Sequence, residues 1–366
     1  MAANRALRPR TAALALAGVL AVGLLVAGGR PWAQQAEPEV LGVQFHTFTD
    51  SRGVTVLSPS GDLTRDFTDR TTLRATFGVD AISAASDSCV RCHSEGAHNA
   101  RGFVGLSLLK KYGDTKVAVG GEYSKEGFYD AATASTSITR TLNDANTTVA
   151  GGYAFSLNRP MLHPTEDRET QFSHAAYGTL TQTLSKTTIA QVGYELSHIT
   201  GYQSNPFLRA VVDGVRMVGM HPEVRTRHAL TARVRQALPS RTYLEADVRR
   251  YVDDWDVTAN TWSVGLSREM SPRLTLSGIY RRHEQTGASF YQPSYTGQPE
   301  FYTADFRIFP FDSNLYTGRV IFKPKDSFMM FPAGTALTAQ YEFYSATTKF
   351  EAGILTLGVR LPLGHH

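Results

Sequence analysis

The residues best able to do chemistry in this chain are Cys89, Cys92 and His93, which stand together as Cys89-Val90-Arg91-Cys92-His93. The spacing C-x-x-C-H is that of c-type haem attachment. Each thiol can add to one vinyl group of a haem, and the adjacent histidine is then placed to bind the iron from one side of the ring. The chain holds only these 2 cysteines, so no other thiol competes for the role. A small disulfide between Cys89 and Cys92 is the plainer alternative for an exported protein. A zinc site is weaker, because a second pair of thiols is lacking. We therefore expect one haem c, with Cys89 and Cys92 covalently bound and His93 as an axial ligand to the iron.

A second axial ligand would set the redox potential, and an open position would admit small ligands. The candidates are His221, then His283 and His163, with Met217 and Met220 nearby in sequence. A lone loop histidine is most often only a solvated side chain. His46, next to Gln44, reads as a polar interior residue. No phosphate-binding loop, dinucleotide fingerprint or nucleophile elbow is present, so an electron carrier is expected rather than a conventional enzyme. Oxidation of an extracellular metal such as iron is the enzymatic reading that remains.

Elements that could hold such a site follow from the rest of the chain. Residues 1–33 read as a secretory signal: Arg5, Arg8 and Arg10, then an apolar run from Ala12 to Ala27, then small residues near Gly29 and Ala33. Beyond Ala33 no apolar run is long enough for a membrane-spanning helix. Residues 34–366 instead alternate between apolar and polar side chains in segments of about 10 to 14 residues. Ala190, Val192, Tyr194 and Leu196 share one face and Gln191, Glu195 and Ser197 the other; Leu244, Ala246, Val248 and Val252 oppose Tyr243, Glu245, Asp247, Arg249 and Tyr251; Leu337, Ala339, Tyr341 and Phe343 oppose Thr338, Gln340 and Glu342. Strands of a soluble sandwich are commonly only about 5 or 6 residues long. The expected fold is all-β, an antiparallel transmembrane β-barrel of about 16 strands.

Expected strands begin near Leu41, Val54, Thr71, Arg101, Thr115, Ala132, Thr147, Gln171, Thr187, Val224, Arg241, Val257, Arg273, Asn314, Gly334 and Lys349. Short turns then follow most even strands, and long loops (85–100, 158–170, 200–223, 285–313) follow several odd ones. Outer-membrane barrels keep short turns on the periplasmic side. The haem-binding loop 85–100 is thus expected at the extracellular mouth or in the lumen. One connection breaks the pattern, Pro324 to Pro332, with Phe328, Met329, Met330 and Phe331 on the short-turn side.

Several short stretches carry a resemblance: Val79-Asp80-Ala81-Ile82-Ser83, Ser204-Asn205-Pro206, Pro222-Glu223-Val224-Arg225, Tyr251-Val252-Asp253-Asp254-Trp255, Tyr302-Thr303-Ala304-Asp305 and Phe311-Asp312-Ser313. In that order they resemble an uncharacterised domain-of-unknown-function family of Gram-negative outer-membrane β-barrels. The resemblance implies a barrel and an outer-membrane location over nearly the whole mature chain. It does not supply the haem, since Cys89 to His93 is an insert relative to the pattern. In plan the chain also resembles the fused cytochrome-porins, although there the haem domain precedes the barrel and here the motif interrupts it.

Charge narrows the partners. The net charge of +4 includes the basic leader and is too small to suggest nucleic acid. Arg74, Arg225, Arg227, Arg233, Arg235, Arg249 and Arg281 fall on inward phases together with Asp80, Glu195, Glu245, Asp247 and Glu342, to neutralise one another or to line a channel. Asp253-Asp254-Trp255-Asp256 reads as an acidic external turn, with attraction of a metal cation as the functional alternative. Trp255, Trp262, Tyr251 and Phe128 are expected in an aromatic girdle at the lipid interface. The expected partners are outer-membrane lipid, a periplasmic c-type cytochrome and an extracellular electron donor or acceptor, because one haem cannot span about 30 Å of hydrocarbon. A solute-transporting barrel with a structural haem, and a haem-based sensor, are the rival functions.

Overall fold

The computed structural model describes residues 39–84, 97–162, 165, 167–327 and 330–363. Sixteen long strands form the barrel. They are β1 Val40–Asp50, β2 Val54–Thr68, β3 Thr71–Ala84, β4 Ala97–Tyr112, β5 Thr115–Glu126, β6 Tyr129–Leu142, β7 Thr147–Pro160, β8 Gln171–Thr183, β9 Thr188–Gly201, β12 Val224–Leu238, β13 Thr242–Asp253, β14 Thr258–Ser271, β15 Leu274–Gln285, β16 Phe311–Phe322, β17 Ala336–Ala346 and β18 Glu351–Pro362. Two short strands, β10 Arg209–Val212 and β11 Val215–Val218, pair only with each other. Each barrel strand pairs antiparallel with its neighbours, and β1 closes on β18 from Val40↔Pro362 to Asp50↔Ala352. Closure leaves no edge whose N–H and C=O groups would meet lipid unpaired.

Alternation decides which side chains meet lipid. Leu230, Val248, Val264, Leu276, Val320, Leu357 and Val43 face outward and are exposed. Their neighbours one residue away face inward and are polar: Thr231, Arg249, Ser263, Ser277, Arg319, Thr356 and Gln44. An exterior this apolar is stable only when covered by lipid. Toward one end the apolar band gives way to outward-facing Tyr123, Tyr153, Tyr194, Trp262 and Tyr316, the amphipathic rings favoured at a membrane interface. Beyond them the exterior becomes polar, where Tyr153 meets His174 at 2.6 Å, Tyr194 meets His228 at 2.7 Å and Arg250 reaches Asn260 at 3.0 Å.

Short turns join the strands at one end and the longer connections 85–96, 161–170, 202–223 and 286–310 gather at the other, called the mouth below. The connection 323–335 is the long exception at the short-turn end. Strand β4 begins at Ala97, pairing with Ala84, so the expected loop 85–100 is shorter by four residues.

Placing an arginine at Val264, in the lipid-facing band, is expected to destabilise the barrel by about 2 to 4 kcal/mol. The same residue placed at Ser137, inside the lumen, is expected to change stability by less than about 1 kcal/mol. Urea unfolding in lipid vesicles measures both.

Candidate functional site at the barrel mouth

The mouth is built from loops that lock onto one another. In 202–223, Asp213 and Gly214 take φ of 48° and 78°, the left-handed pair that a two-residue hairpin turn demands, and so reverse β10 into β11. This hairpin docks on the loop 286–310: Val212 bridges Tyr295, Met220 bridges Tyr302, and the Asp213 carboxylate accepts the Gly297 N–H at 3.0 Å. Ala210, Val212, Tyr295 and Tyr302 form a small buried core between them. The buried Tyr295 hydroxyl donates to the Phe290 carbonyl at 3.0 Å and accepts the Thr303 N–H at 3.0 Å. Across the opening, Phe207 packs edge-on against Phe128 at 5.1 Å, so the loop 202–223 also touches the β5–β6 turn.

His221 is the hub. Its N–H donates to Ser204 Oγ at 2.9 Å, Nδ1 lies 3.2 Å from the Gln203 carbonyl, and Nε2 lies 2.8 Å from Thr303 Oγ1. A carbonyl can only accept, so Nδ1 carries the proton and Nε2 accepts from the Thr303 hydroxyl. That hydroxyl in turn accepts the Asp305 N–H at 2.8 Å. The ring is walled by Trp255 at 5.4 Å and Phe290 at 5.8 Å. Burial pushes the imidazole down to about 4, against the pull of the Asp305 carboxylate. Burial alone would raise Asp305, but the Arg307 guanidinium gripping it holds its carboxyl below the usual range.

The acidic turn proves structural. Asp253 Oδ1 accepts the N–H groups of Trp255 and Val257, both at 3.0 Å, and Oδ2 accepts from Arg225 Nε at 2.9 Å and the Tyr251 hydroxyl at 2.7 Å. Asp254 accepts the Thr226 N–H at 2.8 Å. Both Asp253 oxygens are thus committed within the protein, and among the described residues no cluster of three or more metal-ligating side chains forms. Trp255 is not in the girdle. It is buried beneath the loops, with its ring under the Arg225 guanidinium at 4.2 Å and its Nε1 donating to the Val224 carbonyl at 2.9 Å. Tyr251 points into the barrel and Phe128 into the mouth, so of the four expected interface aromatics only Trp262 faces lipid. Position in a turn, or the parity of one residue, overrode aromatic character.

The remaining candidates separate. Cys89, Cys92, His93 and His163 lie outside the described residues. His283 faces inward near the mouth end of β15, its Nδ1 2.7 Å from Thr261 Oγ1 and its ring tilted on Phe311 at 5.4 Å. Met217 and Met220 are exposed on the docked loop. His46 lies in the lumen between Thr356 at 2.8 Å and Gln44 at 3.2 Å. Below the connection 85–96, an Asp80–Arg101 pair at 3.5 Å faces the lumen.

A family profile described as "Protein of unknown function (DUF3570)" matches residues 162–356. No curated protein matches the sequence. Among solved structures, a bacterial polysaccharide outer membrane secretin is similar over 90% of this chain and 100% of its own, with TM-score 0.51 and 9% identity. A BenF-like porin from Pseudomonas fluorescens Pf-5 is similar over 89% and 99%, with TM-score 0.48 and 9% identity. The siderophore receptor PirA from Pseudomonas aeruginosa is similar over 85% of this chain, with TM-score 0.46 and 14% identity, and this chain covers 57% of the receptor. At such identities the likeness is one of fold.

Because His221 is neutral when folded and titrates near 6.5 when unfolded, its contribution is complete above about pH 6.5 and is lost as the pH falls toward about 4. The loss is of order 3 kcal/mol over that window. Proteolytic nicking of loop 202–223 should therefore rise between pH 6.5 and 4, and His221→Gln, which keeps a donor and an acceptor but cannot titrate, should flatten the dependence.

Proposed function

We propose, from the premise that this chain belongs to the DUF3570 family of proteins of unknown function, that it is a barrel of the bacterial outer membrane that carries one covalently attached c-type haem and passes electrons across that membrane. The observation that carries the reading is the placement of Cys89-Val90-Arg91-Cys92-His93 on the connection between β3 and β4. That connection leaves the wall at Ala84 and returns at Ala97, at the end where the long loops gather. The matched family region, 162–356, does not include it. The redox chemistry is therefore attributed to this chain's own residues.

Cys89 and Cys92 would hold the haem and His93 would bind its iron; the group would supply a one-electron couple. Of the distal candidates, His221 would have to give up the Nε2 lone pair that accepts from Thr303 and would unlock the loops. His283 commits its Nδ1 to Thr261 and is the better candidate, since a hydroxyl on one ring nitrogen orients the other. His163 is the third. The surrounding wall excludes lipid and, with about 30 Å to cross, a periplasmic c-type cytochrome must approach from the short-turn end while an extracellular donor or acceptor meets the mouth. A second reading, solute conduction with a structural haem, is favoured by the polar lumen of a 16-stranded barrel.

Proteoliposomes holding the barrel and an enclosed cytochrome c test the first reading. External reductant should reduce the enclosed cytochrome, and the Cys89→Ala, Cys92→Ala double variant should abolish this reduction. Equal rates with both proteins would refute electron transfer.

A further inference from the structure

We infer that the outer wall of the barrel at the short-turn end binds one anionic phospholipid, its acyl chain in a groove across β16, β17, β18 and β1 and its phosphate at the lysines of the connection 323–335. This depends on the barrel lying in a membrane, and on neither the haem nor conduction. One outward-facing row crosses the four strands as Val320, Ala339, Leu357 and Phe45. Ala339 is the one small side chain in that row, so the wall is hollow there, while Val320 and Leu357 stand out on either side. Phe322 and Phe331 line the end of the groove toward the turns. Its volume is about 460 Å³, within the roughly 300 to 1,000 Å³ of small-molecule sites. The groove opens from the apolar band that lipid must cover, so an acyl chain is the apolar occupant its surroundings supply.

The connection 323–335, the long exception at this end, is what builds the end wall. Its return to β17 is fixed. Thr335 is fully buried, and both its Oγ1 hydroxyl, at 2.6 Å, and its N–H, at 3.3 Å, donate to the Pro332 carbonyl. Gly334 takes φ of 85°, and a Cβ added there would lie 3.2 Å from the Pro362 ring, so a residue without a side chain lets this turn rest on β18. The turn thereby holds Phe331 against the outer wall, where it lines the groove.

Charge selects the lipid. Lys323 follows Phe322 directly, and its N–H donates to the Arg273 carbonyl at 2.8 Å, which sets the β14–β15 turn alongside. Lys323, Lys325 and Arg273 are exposed, and among the described residues none of the three is in an ion pair. Asp326 is the single acid of the connection, which stays positive even when that carboxylate is counted. Of the other acids at this end, Asp62 and Glu269 have the inward phase, and the Glu39 carboxylate accepts the Asp66 N–H at 3.1 Å. A lysine carries its ammonium on a long apolar stem from the wall to headgroup depth, where it attracts an anionic lipid over a zwitterionic one.

Native mass spectrometry of the barrel purified from outer membranes, with dioleoyl phosphatidylglycerol or dioleoyl phosphatidylcholine added separately in detergent, tests this. One phosphatidylglycerol should survive collision energies that strip all other lipid, and should be retained at least about threefold more than phosphatidylcholine. Ala339→Trp, which fills the groove, should abolish retention, and Phe331→Ala, which removes part of its wall, should weaken it. Lys323→Gln with Lys325→Gln should erase the preference for phosphatidylglycerol, while Val264→Trp, elsewhere on the lipid-facing wall, should change neither. Heat-resistant migration on gels shows which variants are folded, and Phe331→Ala serves if Ala339→Trp is not. Retention unmoved by the groove variants would overturn the site. A dimer or trimer that Ala339→Trp dissolves would overturn it too, by giving the groove to a second copy of the chain. Equal retention of the two lipids would overturn the part assigned to the lysines.

Discussion

In a hydrocarbon solvent every backbone N–H and C=O must find its partner within the protein, and that requirement organises this molecule. It is met by joining the first strand to the last, Val40 to Pro362 and Asp50 to Ala352. Once the sheet is closed, side chains divide strictly into those that meet lipid and those that meet the lumen. A shift of one residue in any pairing would move Arg249 or Glu195 into the bilayer and Val248 or Tyr194 into the channel. The register is thus held by the cost of burying charge in lipid as well as by the hydrogen bonds.

Closure also decides where chemistry can occur. The wall has little room for a site, so distinctive groups collect in the lumen and at the mouth. At the mouth, residues distant in sequence meet: His221 on one loop, Thr303 on another, Trp255 in a turn and Asp305 with its arginine. Their packing gives the loops a core of their own, anchored on the wall through Val224, Arg225 and Tyr251. Cys89 to His93 belongs to the connection between β3 and β4, one of the long connections at this end, and the haem proposed for it stands on the chemistry of two thiols and an imidazole.

Much of the fold was legible because alternation is a local signal. Most expected strand starts fall within about 3 residues of those in the structure, since Val192 against Gln191 or Val248 against Asp247 states the orientation of the strand directly. The β10–β11 hairpin was missed although Asp213-Gly214 between Arg209–Val212 and Val215–Val218 is a strong turn signal; its strands are too short to show alternation. The mouth was the least legible part. Nothing near Trp255 in sequence foretells that it lies under Arg225 and beside His221, because loop-to-loop contacts follow no period. The parity of the arginines was readable, while their pairing was not: Asp253 could have served Arg227, its register partner, and serves Arg225.

The central claim is that the chain carries haem covalently, and the most direct test is the intact mass of the barrel purified from outer membranes under denaturing conditions. The account predicts a mass one haem above that of the mature chain, reverting to the bare chain in the Cys89→Ala, Cys92→Ala variant. A parent mass equal to the bare chain, in a host that attaches haem to its other cytochromes, would contradict it.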